Sequence, residues 1–90
     1  MRYVHEVWED PDDNSISMIC RASPWAINSY RLLSARAKVI HTFQAGSHVE
    51  ASTLLHRIMG WEEYVPLVDS EHGDIVGEEP YPDDWAQNSN

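Results

Sequence analysis

Cysteine, long apolar runs and late positive charge are all scarce in this 90-residue chain. Cys20 is the single cysteine, which excludes an internal disulfide and suits a reducing compartment. No stretch approaches the roughly 20 consecutive apolar residues that a membrane span needs. The opening MRYVHEVWED carries no apolar segment of the secretory type. Together these absences predict a soluble, cytoplasmic protein with no membrane partner. Lys and Arg stop at Arg57. The six bases balance the six acids of residues 1–61, so the nine acids of residues 62–90 carry the whole formal charge of −9. That polarity argues against direct nucleic-acid binding, which needs cations to displace phosphate counterions. It argues equally against anionic membrane surfaces.

Recognisable chemistry is also missing. There is no P-loop, no G-x-G-x-x-G, no C-x-x-C, no H-E-x-x-H and no G-x-S-x-G. Asp10, Asp12 and Asn14 match the first ligand positions of a calcium loop. However, Ser15 stands where glycine is required and Arg21 where the bidentate glutamate belongs. No catalytic residue, cofactor or metal site is therefore assigned. Ser47 beside His48 is not a nucleophile with its base, because adjacent residues at a helix start do not face each other. Arg21 next to Cys20 could lower the thiol pKa, although a lone strand cysteine is ordinarily an inert core atom.

What is present is most legible from Lys38 to Trp61. Lys38–Gln44 alternates, with Val39, His41 and Phe43 on one side and Ile40, Thr42 and Gln44 on the other, which predicts an interior strand. Ser47 and Glu50 form a capping box in which each side chain reaches the other's backbone N–H. Ala51, Leu54, Leu55 and Ile58 then follow helical spacing and make one apolar stripe. Gly60 sits where a left-handed C′ residue is wanted, and Trp61 is placed to fold back on the last turn near Leu55 and His56.

Elsewhere, Arg2–Glu9 and Ser15–Cys20 read as strands of a hairpin around Asp10–Asn14. Ser23-Pro24 suggests an N-cap and first helical residue for a short helix over 24–33. Val65–Val68 and Asp74–Val76 suggest short strands around the turn 70–73, with Pro66 keeping the first at an edge. The prediction is a two-layer α+β fold. A small, mostly antiparallel sheet of three or four strands is covered on one face by a main helix over about 48–59, with a lesser helix over about 24–33. Residues 1–77 form the single domain, and the acidic residues 78–90 form a flexible tail.

The run His41–Tyr64 resembles a pattern found in small uncharacterised bacterial proteins. In them a strand of the H-x-F-x-A type leads to S-x-x-E-A, and the helix closes with M-G-W. The resemblance covers about a quarter of the chain and rests on the cap and the C′ glycine. It implies a shared strand–helix unit and no activity.

Three functional classes remain open. The first is a small non-catalytic interaction module that presents an acidic, aromatic-bearing surface to a basic protein. Its candidate contact residues are Trp25, Tyr64, Tyr81 and Trp85, with Glu78, Glu79, Asp83 and Asp84. The second is a nucleic-acid mimic that inhibits a DNA- or RNA-binding protein. The third is a ligand-binding or catalytic domain using His5 and His41, should their strands be neighbours, with Glu6 close by. Oligomeric state is left undetermined.

Overall fold

A four-residue loop, residues 11–14, with two aspartates and a proline cannot extend a strand, so the chain turns back on itself early. Strands β1 (Tyr3–Asp10) and β2 (Ser15–Cys20) form the resulting hairpin, with His5 opposite Cys20 and Asp10 opposite Ser15. Asn14 takes the left-handed conformation at the turn (φ 57°), which asparagine tolerates better than most residues. The computed structural model describes residues 1–88, with side chains to Trp85. Ser89 and Asn90, the end of the expected tail, lie outside the described residues.

Helix α1 (Ala26–Arg31) packs beside β2. Strand β3 (Lys38–Ala45) runs antiparallel to β1, and α2 (His48–Met59) packs beside β3. The strand order is β2-β1-β3. The fold is thus a two-layer α+β arrangement with a three-stranded antiparallel sheet, one main helix and one lesser helix. No helix among the described residues is long and apolar enough to cross a membrane.

Three local expectations are revised. First, β3 is an edge strand, not an interior one. β1 already pairs on both flanks, so β3 keeps one flank open, with Val39, His41, Thr42 and Gln44 exposed. Lys38 at its start is the kind of residue that discourages edge-to-edge pairing. Second, α1 starts at Ala26, two residues later than expected. Ser23 Oγ accepts from Trp25 N and the Ser23 carbonyl from Ala26 N, which closes a separate turn before the helix. Third, residues 65–68 and 74–76 form no strands. They meet only in an isolated Val68–Ile75 bridge with one Val76 N–H to Leu67 carbonyl bond.

Helix α2 has the expected ends with one change of partner. Ser47 Oγ accepts from Glu50 N at 3.1 Å, while Glu50 Oε1 accepts from Gly46 N at 2.8 Å instead of from Ser47. Arg2 Nη1 binds the same carboxylate oxygen. Gly60 is left-handed (φ 72°), and Trp61 N donates to the His56 carbonyl at 2.9 Å. That pair of features is a Schellman end. The apolar stripe is only partly covered: Ala51 is buried, Leu54 and Leu55 are half-buried, and Ile58 is exposed.

The core is small and partly polar. Tyr3, Val7, Ile19, Ala22, Ala26, Ala45 and Ala51 are buried with His5, Glu6, Asp10 and Ser52. On one sheet face, Glu6 accepts hydrogen bonds from Tyr30, Trp8 and Arg21, and the Tyr30 ring packs edge-on against Trp8. Burial alone would raise the Glu6 carboxyl, but the bonds from Tyr30, Arg21 and Trp8 outweigh it and hold it below its usual range. Burial and the same carboxylate push Tyr30 up to about 12. Asp10 joins the hairpin turn to the segment after α1, accepting from Asp12 N, Ser34 N and Ser34 Oγ.

The opposite face carries Tyr3 and His5, and residues 77–85 run along it. Val49 N donates to the Gly77 carbonyl, Tyr81 N to the Gly46 carbonyl and Tyr3 Oη to the Pro82 carbonyl. A short 3-10 helix, Asp83–Asn88, ends the described chain.

Candidate interaction surface

The buried histidine is the first group to place. His5 is 1% exposed and lies flat between Phe43 and Tyr81. Its Nδ1 is 2.9 Å from the Tyr3 carbonyl, which only accepts, so Nδ1 carries the proton. Nε2 then accepts from Tyr81 Oη at 3.0 Å. Burial lowers the His5 pKa and raises that of Tyr81, so both stay neutral. β1 and β3 are indeed neighbours, but His5 faces Phe43 while His41 faces Val7. His41 is exposed, His5 has both nitrogens engaged, and Glu6 points to the other face. No acid–base pair results from these three residues. Arg21 turns to Glu6 instead of activating Cys20, whose half-buried thiol is pushed up by burial.

The candidate contact residues separate into two kinds. Tyr81 and Trp85 stack on each other and pack against Tyr3. Trp25 meets Trp85 edge-on and is still 65% exposed. Tyr64 is half-buried against His56. Glu78, Glu79, Asp83 and Asp84 are exposed, and Asp83 receives the Met1 ammonium at 3.3 Å. Trp25 is the aromatic member of this set that most clearly faces solvent.

The larger apolar exposure lies elsewhere. Val65, Leu67 and Val68 are 79%, 71% and 61% exposed, and Ile58, Trp61, Ile75 and Val76 are exposed with them. Glu62, Glu63, Asp69, Glu71, Asp74, Glu78 and Glu79 are interspersed in the same stretch, which contains no Lys or Arg. The short strands expected over 65–68 and 74–76 would lie here, and they do not form. A usable signal existed: Pro66 and Gly73 interrupt two apolar runs too short to form a sheet by themselves.

At the base of this stretch the end of α2 makes a niche of about 290 Å³ lined by Thr53, His56, Arg57, Trp61, Glu63 and Tyr64. Trp61 and Tyr64 both meet the His56 ring edge-on, at centroid distances of 5.3 and 5.2 Å. His56 Nδ1 donates to the Glu62 carbonyl at 2.7 Å. Among the described residues, Asp69, Glu71 and His72 are the group whose ligand atoms lie close enough together to hold a metal ion. They sit on the turn 69–74, where Asp69 accepts from Glu71 N and is 3.1 Å from His72 Nδ1.

The fold and this surface define a small α+β protein with an acidic, apolar-bearing flank. No family model matches the chain, and no curated protein or solved structure matches it.

Proposed function

We propose that the protein is a non-catalytic interaction module that binds a basic protein through residues 58–79. One observation supports this reading best: Val65, Leu67 and Val68 lie open to water among seven carboxylates with no Lys or Arg between them. Contiguous exposed apolar groups rimmed by charge mark interaction sites. The carboxylates would steer a cationic partner inward, and the apolar side chains would then be buried. A nucleic-acid mimic would need the carboxylates alone, so the exposed valines and leucine favour a partner with an apolar face of its own. A reducing, cytoplasmic setting suits the half-buried Cys20 thiol.

Affinity capture from lysate on the immobilised full chain, beside a Val65→Ser/Leu67→Ser variant, tests this. The expected result is a set of basic proteins retained by the parent, lost by the variant and weakened by high salt. If the variant keeps the same proteins, or the parent retains none, the reading fails.

A further inference from the structure

The end of α2 is built by its own stop signal. Gly60 turns left-handed, the Trp61 N–H returns to the His56 carbonyl, and the indole is thereby laid against the His56 ring at an interplanar angle of 90°. Tyr64 reaches the same imidazole at an interplanar angle of 68°. Trp61, Tyr64 and His56 all line one niche at this helix end. Its volume, about 290 Å³, falls just short of the roughly 300–1,000 Å³ of sites that engulf a drug-sized molecule. It suits one side chain.

The electrostatics select the sign of that side chain. Aromatic faces attract cations through their quadrupoles, and a helix C-terminus presents partial negative charge. Glu63 lines the niche and has no ion-pair partner among the described residues. His56 Nδ1 donates a hydrogen bond to the Glu62 carbonyl, so the ring nitrogen left for a ligand is Nε2. Arg57 is the one opposing charge in the lining. It is exposed and sits in the last turn of α2, where the helix carbonyls favour it.

We propose that this niche takes a single organic cation, the guanidinium or alkylammonium group of an arginine or lysine side chain on the basic partner. The proposal deepens the reading above and rests on it for the partner's character. The alkyl stem would lie along Trp61 and Tyr64 while the charged head meets Glu63.

The test is a titration of the full chain by ¹H–¹⁵N NMR with four probes: Nα-acetyl-arginine amide, Nα-acetyl-Nε-trimethyl-lysine amide, the neutral Nα-acetyl-citrulline amide, and benzoate. Expected are shifts at the Trp61 indole and at residues 60–64 with one or both cations, and none with citrulline amide or benzoate. Trp61→Leu and Glu63→Gln should each weaken the cation roughly three- to tenfold. Arg57→Gln should strengthen it, which a merely structural arginine would not do. Binding of benzoate in preference to the cations, equal response to citrulline amide, or no response to either cation would overturn the proposal. So would tighter binding failing to appear in Arg57→Gln. Lysate capture is judged by the Val65→Ser/Leu67→Ser variant, and neither residue lines the niche. Failure here with capture intact therefore removes the niche alone.

Discussion

Two carboxylates and an imidazole inside so small a sheet would be costly if any were left without partners. Glu6, Asp10 and His5 each use their polar atoms, and no buried side-chain nitrogen or oxygen among the described residues lacks a hydrogen bond. The consequence for pH differs by group. Glu6 is held below its usual value near 4.5, so its contribution is present above that value and is lost as acid protonates it. His5 is held below its usual 6.5, so it stays neutral in the folded state while the unfolded chain takes up a proton. Stability from His5 is therefore complete above about pH 6.5 and falls as pH drops from there toward the lowered folded value. Urea melts between pH 8 and 5 should show this decline, with a shallower slope in His5→Gln. Identical slopes would mean that His5 is not the group responsible. The tautomer follows from the Tyr3 carbonyl, but the burial was not legible beforehand, because it comes from Phe43 and from Tyr81, seventy-six residues away.

Among the elements, α2 was the most legible and β3 the least. The cap, the stripe and the left-handed glycine of α2 are local signals, each settled within about four residues. The place of β3 depends on which flanks β1 has left to offer, and nothing inside Lys38–Ala45 records that. Two glycines illustrate the same difference between local and distant causes. Gly60 and Gly77 are both left-handed, at φ 72° and 84°. A Cβ on Gly60 would meet nothing, whereas one on Gly77 would come within 2.9 Å of the His48 ring. Gly60→Ala should cost about 1 kcal/mol, the price of the left-handed backbone alone. Gly77→Ala should cost more, roughly 2–3 kcal/mol, because His48 must also move. Denaturant unfolding of the two variants checks the order, and equal losses would show that the contact with His48 is easily relieved.

Taken whole, the protein closes its sheet with residues from its far end. Tyr81 and Trp85 cover Tyr3 and His5, Met1 meets Asp83, and Ser47 bridges to Pro80. Removing residues 78–90 should therefore lower stability by at least about 2 kcal/mol, as expected for uncovering one or two large side chains. An unchanged urea midpoint would show that those contacts contribute nothing. The amino-acid order alone determined the composition, the segregation of negative charge, the hairpin, the capped helix and the α+β class, since each follows from neighbours or from periodicity. Tertiary structure alone decided which strand is central, that the histidines of β1 and β3 do not pair, and which apolar residues remain in water. Those outcomes depend on competition for a limited sheet surface. β1 and its two neighbours took the available sheet surface, and the side chains of Val65, Leu67 and Val68 were left largely in water.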